Sequence, residues 1–133
     1  MSFTPIDVTI ADDRYAGQPG VLNAARLLLL EAGHLGTTRA VWGERFTQVE
    51  ESIPTLIERA RRMGIAIVLL PVQYPEGPPV EIGVAVGNVR ALVEKFSGDT
   101  TVIVKNGRCL TVRWPMVEVL AAFARAAQGV VAA

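Results

Sequence analysis

Residues 65 to 81 read I-A-I-V-L-L-P-V-Q-Y-P-E-G-P-P-V-E. Ile65 to Leu70 is apolar and rich in β-branched side chains, and Gly64 bounds it on one side. A loop dense in Pro and Gly follows as far as Pro79, and then a new apolar pattern starts. A buried central strand emptying into a surface loop has this form. Pro71 lies within the run. A proline has no N–H for a sheet ladder, so Pro71 is expected where the strand ends or reaches the sheet edge.

Before this stretch, Ile6-Asp7-Val8-Thr9-Ile10 alternates with β-branched residues and predicts a first strand. The loop after it runs through Asp12, Asp13, Arg14 and Tyr15 to A-G-Q-P-G. Gly20 to Ala32 is so apolar that it predicts a mostly buried helix closed by Gly33. Arg39 to Trp42 is a second candidate strand, ending in Gly43-Glu44-Arg45. Thr47 and Glu50 have the spacing of a capping box. Pro54 conflicts with a helix running straight from that cap, so the helix is placed over Ile53 to Met63.

After the loop, two patterns compete. Val80, Ile82, Val84 and Val86 alternate as in a strand. Ile82, Ala85, Val86, Val89, Leu92, Val93 and Phe96 share one helical face. The longer pattern predicts a helix over Val80 to Phe96, weakened by Gly83 and Gly87. Thr101 to Val104 is a strand, and Asn106-Gly107 is a hairpin signal that brings Cys109 to Val112 back against it. Trp114-Pro115 opens the last helix, whose apolar face is Met116, Val119, Leu120, Phe123 and Ala127. Alternating strands and helices favour a single α/β domain over residues 1–133, a doubly wound, mostly parallel sheet. The alternative is an α+β domain with Val80 to Val86 as a strand and an additional hairpin.

Composition sets further bounds. The chain has 133 residues, half of them hydrophobic, enough for one domain with a substantial core. Lys plus Arg and Asp plus Glu each number 13, so overall charge offers no argument for nucleic acid or an anionic membrane. Cys109 is the lone cysteine, which forbids an internal disulfide and suits a reducing cytoplasm. The N-terminus has no signal-peptide pattern, and Leu27 to Leu30 is too short to span a bilayer.

Four segments resemble one family. They are V-T-I-A-D-D at 8 to 13, L-L-E-A-G-H at 29 to 34, I-V-L-L-P-V-Q-Y-P-E-G-P-P-V-E at 67 to 81, and L-T-V-R-W-P-M-V-E-V-L-A-A-F-A-R-A-A at 110 to 127. Together they resemble a receiver domain of a two-component response regulator, which implies a flavodoxin-like fold. The chain departs from that family at its chemistry. Pro71 stands where receivers carry the phosphorylated Asp, Arg113 where they carry a Lys, and Val104 to Leu110 leaves no room for a fourth helix. The resemblance therefore implies a degenerate receiver that is not phosphorylated in the normal way.

In open parallel sheets, ligands bind outside the carboxyl ends of the strands. On that topology Asp12, Asp13, Arg14, Tyr15, Glu44, Pro71, Tyr74 and Arg113 share one edge. Asp12 and Asp13 could hold Mg²⁺ with waters retained, although Pro71 removes a ligand; no other cofactor is expected. The alternative for this pair is solvated charge at a helix N-terminus. His34 reads as a post-helix residue and Cys109 as a small hydrophobe. The functional expectation is a phosphorylation-independent signalling or protein-interaction domain on a receiver-like scaffold. Its apolar stripes suggest a homo-oligomer or protein partner, with a small-molecule ligand as a further candidate. The alternative is a small metabolite enzyme using Asp12, Asp13 and Glu44 as acid/base or metal-binding groups.

Overall fold

The structure, a computed structural model, describes residues 3–12 and 14–131. Strands β1 (Pro5–Thr9) and β2 (Pro19–Asn23) form an antiparallel hairpin. A 3-10 turn at Ala24–Arg26, capped by the Asn23 side chain, leads into β3 (Leu29–Ala32). Short turns then fold β3, β4 (Thr38–Val41) and β5 (Phe46–Val49) into a meander. Helix α1 (Ile53–Arg62) starts at Ser52, whose hydroxyl accepts from the Thr55 N–H, with Pro54 in the first turn. Strands β6 (Ile67–Val72) and β7 (Val80–Ala85) pair across the Pro-rich loop. A 3-10 turn at Val86–Asn88, the third after those at Ala24–Arg26 and His34–Gly36, is followed by β8 (Val89–Glu94), β9 (Thr100–Val104), β10 (Cys109–Val112) and helix α2 (Met116–Gln128).

The large sheet has the order β5-β4-β3-β7-β6-β10-β9-β8, and every pairing in it is antiparallel. The doubly wound parallel expectation is thus overturned, and the receiver resemblance with it. A parallel pair needs a crossover of a dozen or more residues, usually a helix. Here tight turns join β3 to β4, β4 to β5 and β9 to β10, so the chain reverses instead of crossing over. The β6 run is central, as expected, but antiparallel to both neighbours.

Two expected helices are absent. Gly20 to Ala32 forms β2, the Ala24–Arg26 turn and β3, and Val80 to Phe96 forms β7, the Val86–Asn88 turn and β8. The cause is burial on two faces. Leu30, Ala40, Ile67 and Ala85 enter one core with Ile6, Val8 and Leu22 from the hairpin and Leu56 and Ala60 from α1. Their neighbours Leu29, Val41, Val84 and Leu70 enter a second core with Val102, Val104, Leu110, Val112 and Val119. Strands covered on both faces lose the apolar–polar alternation and read like buried helix. Gly83 belongs to this packing: a Cβ there would sit 3.1 Å from Leu30 Cβ and 3.3 Å from Ile67 Cγ2. The helical stripe offered as an oligomer face does not exist, since its segment forms two strands and a 3-10 turn and its Ile82 and Ala85 are core.

The sheet curls, bringing β8 to β10 back over β3, β4 and β7. The shared second core and the Arg108–Glu31 ion pair at 3.2 Å record that closure. Pro71 lies inside the sheet, one residue before the end of β6, opposite Glu81. Its carbonyl accepts from the Arg113 N–H, so its missing N–H faces the same side, where β10 ends and that pairing stops. Proline is tolerated there because no ladder bond is lost. Thr47 lies in β5 and does not cap a helix.

Glu51 fastens the hairpin and α1 to the meander. Its carboxylate accepts from the Thr9 N–H at 2.9 Å and from Arg59 at 3.0 Å, and its backbone carbonyl accepts from the Thr38 hydroxyl. Burial pushes this carboxyl up, but the Thr9 N–H, its own N–H and Arg59 together outweigh that and hold it below the usual 4.5. A carboxylate with a depressed folded pKa stabilises above its unfolded pKa, and loses that effect as pH falls through the folded value. Glu51→Gln is therefore expected to cost about 1–2 kcal/mol at neutral pH. Urea unfolding should show that difference narrowing as pH falls below about 4.

Candidate functional site

An open cleft of about 1000 Å³ lies where the β1–β2 hairpin, the 3-10 turns at Ala24–Arg26 and Val86–Asn88, the β4–β5 turn and the β9–β10 turn converge. Ile10, Leu22, Leu28 and Trp42 supply much of its apolar lining, with Phe3 and Val21 beside them. Asn23, Arg26, Thr47, Asn88, Lys105 and Asn106 supply its polar groups. Among the described residues no carboxylate lines it.

Local bonds hold these groups in place. The Trp42 indole N–H donates to the Thr47 hydroxyl at 3.1 Å, fixing the ring across the β4–β5 turn. Asn23 Oδ1 accepts from Thr4 N–H and Ala25 N–H, which orients the first 3-10 turn. Asn88 is buried, and its amide donates to the Leu27 carbonyl at 2.6 Å and the Ala25 carbonyl at 3.2 Å. Its own backbone carbonyl accepts from Lys105 N–H at 2.9 Å. One residue thus ties the Ala24–Arg26 and Val86–Asn88 turns together through its side chain and sets the start of the β9–β10 turn through its backbone. Gly107, at φ 89°, closes that turn, where Asn106 Oδ1 accepts from Arg108 N–H.

The charges are sorted by position. Glu51, Glu58, Glu31 and Asp99 are engaged with Arg59, Arg61 and Arg62, Arg108 and Arg113 respectively. Arg61 and Arg62 pull the exposed Glu58 carboxyl down to about 2. Among the described residues Arg45, Arg90 and Lys105 enter no ion pair. Lys105 lines the cleft, Arg45 lies in the turn between Trp42 and Thr47, and Arg90 follows Asn88 by two residues. The zero overall charge therefore does not describe the cleft, whose lining carries Arg26 and Lys105 and no carboxylate among the described residues, and it gives no ground for excluding a nucleic acid.

The residues expected at one sheet edge are dispersed. An antiparallel sheet has no common carboxyl edge, which removes the basis of both the receiver-type interaction domain and the metabolite enzyme. Asp12 accepts from Gln48 N–H at 3.3 Å and holds the β1–β2 loop to β5. No helix follows it, so helix-dipole stabilisation does not apply. Asp13 lies outside the described residues. Arg14 stacks over Tyr15, 6.0 Å from the ring centroid, in the exposed loop. Glu44 sits in the β4–β5 turn, and Pro71 is in β6. Tyr74 lines a smaller pocket with Arg108 and Cys109. Arg113 bonds Gln73 at 2.9 Å and approaches Asp99 at 3.7 Å. No group of three or more His, Cys, Asp or Glu able to hold a metal occurs among the described residues. Nor is any described helix long and apolar enough to cross a membrane.

No protein-family model matches the chain, and no curated protein sequence matches it. Among solved structures, the LytTr DNA-binding domain of a Bacillus cereus response regulator is similar, with a TM-score of 0.55. The match covers 92% of this chain and 98% of that one, at 11% sequence identity. The likeness is one of fold. It spans nearly all of both chains and replaces the flavodoxin-like receiver as the point of comparison.

The sequence reading missed Asn23, Arg26, Asn88, Lys105 and Asn106. Asn23 and Asn88 had a signal: each is a polar residue stranded in an apolar run, V-L-N-A-A and V-G-N-V. A buried amide that satisfies main-chain carbonyls leaves them unpaired when truncated. Asn88→Ala is expected to cost about 1–3 kcal/mol in urea unfolding, whereas Asn106→Ala, in the exposed turn, should cost less than about 1 kcal/mol.

Proposed function

We propose that this chain is a DNA-binding module that engages duplex DNA through its phosphates at the cation-bearing rim of the cleft. The observation behind this reading is the shared fold, over nearly its whole length, with a domain that binds DNA in another protein. The rim chemistry supports it independently. Lys105 and Arg26 stand at the cleft with the Asn23 and Asn106 amides, and carboxylates are absent from its lining among the described residues. Arg45, beside Glu44 in the β4–β5 turn, and Arg90, in β8 just after the Val86–Asn88 turn, are further cations on elements that adjoin it. Phosphate contacts position a protein on the duplex and make binding steeply salt-dependent. The amides of exposed turns are also suited to base edges, because they both donate and accept hydrogen bonds.

The test is fluorescence anisotropy of a labelled mixed-sequence duplex titrated with the protein at several salt concentrations. Binding is expected at about 50 mM salt, weakening log-linearly by about 0.9 for each phosphate neutralised. Lys105→Ala should lower the magnitude of that slope by about 1, while the distant Arg62→Ala should leave it unchanged. Absence of binding at low salt, or a slope indifferent to Lys105, would contradict the proposal.

A further inference from the structure

Phosphate contacts at the rim leave the interior of the cleft unused. That interior is apolar, with Ile10, Leu22, Leu28 and the indole of Trp42 in its wall. Its volume of about 1000 Å³ lies within the range of small-molecule sites, roughly 300–1,000 Å³. Such sites combine an apolar body with a few convergent polar groups that set orientation. Here the polar groups favour one sign. Lys105 brings an ammonium free of any ion pair among the described residues, and Arg26 brings a guanidinium. Asn23 and Asn106 each use their side-chain oxygen in local bonds. Their Nδ2 groups make no hydrogen bond among the described residues, so the amides offer donors. Asn88 spends its donors on Leu27 and Ala25, leaving its oxygen as the one acceptor among the three.

We infer that the cleft is a binding site for a small amphipathic anion, a carboxylate or similar headgroup on an apolar body, seated with its head at Lys105 and its body against Trp42. The apolar interior gains from burying an acyl or aromatic body. The donor-rich mouth compensates a desolvated anion, whereas an ammonium headgroup would meet like charge. The fixed Trp42 ring means that the wall is formed before any ligand arrives. This inference does not depend on DNA binding, because the ligand is recognised by the cleft alone.

The experiment is a ¹H–¹⁵N correlation titration of the full chain, without DNA, using sodium octanoate and octylammonium chloride as probes. Octanoate is expected to shift the Trp42 indole resonance and the Asn23 and Asn88 side-chain amides saturably, and to leave the Trp114 indole unmoved. Octylammonium should produce no saturable shift. Lys105→Ala, a change in an exposed turn, should weaken octanoate roughly tenfold while the spectrum stays folded. No saturable shift with octanoate up to about 10 mM would overturn the site. An equal response to octylammonium, or an octanoate affinity indifferent to Lys105→Ala, would overturn its assignment to anions.

Discussion

The fold depends on covering the central strands from both sides. Leu29 and Leu30 are adjacent in β3, yet they enter opposite cores. Ala40 and Val41 in β4 and Val84 and Ala85 in β7 divide in the same way. An α-helix of this length would direct such neighbours round one side, but a strand places them on opposite faces. Once both faces are apolar, each must be buried, and the rest of the chain supplies the covers. The β1–β2 hairpin and α1 close one face, while the curled strands β8 to β10 and α2 close the other. Gly83 keeps the middle layer thin enough for α1 to approach, since its would-be Cβ lies 3.5 Å from Ile53 Cγ2.

The cleft is a consequence of that layering. The chain must pass from one layer to the next, and it does so through turns that gather at one place. Their backbone groups cannot all join ladders, so buried polar side chains satisfy them. Asn88 does this for Leu27 and Ala25, and in doing so it fixes the spacing of the turns that bear Arg26 and Lys105. The residues that satisfy the turns and those that line the cleft are thus largely the same.

Much of the local structure was legible. The β1 alternation, the α1 span from Ile53, the Asn106-Gly107 hairpin and the last helix after Pro115 each rest on short-range chemistry that tertiary contacts did not override. What failed was sidedness. Two-faced burial erased alternation in β3 and β7, and a coincidental i, i+3, i+4 spacing made β7 and β8 resemble one helix. The short segments between Ala32 and Thr38 and between Val41 and Phe46, each with a glycine, were the available signs of an antiparallel meander. The site was less legible because its residues are far apart in the chain. Net charge was a poor guide, since ion pairs such as Glu51–Arg59 and Glu58–Arg61 consume charge outside the cleft lining.

Leu30 lies in the middle of an antiparallel sheet, flanked by Ala40 on one side and Gly83 on the other, and the whole layering rests on that placement. Nuclear Overhauser measurements on the labelled chain test this directly. Cross-strand backbone contacts are expected from Leu30 to both Ala40 and Gly83, and from Gly83 on to Leu69. A continuous ladder of Hα(i) to HN(i+3) contacts through Gly20 to Ala32, or through Val80 to Phe96, would contradict it.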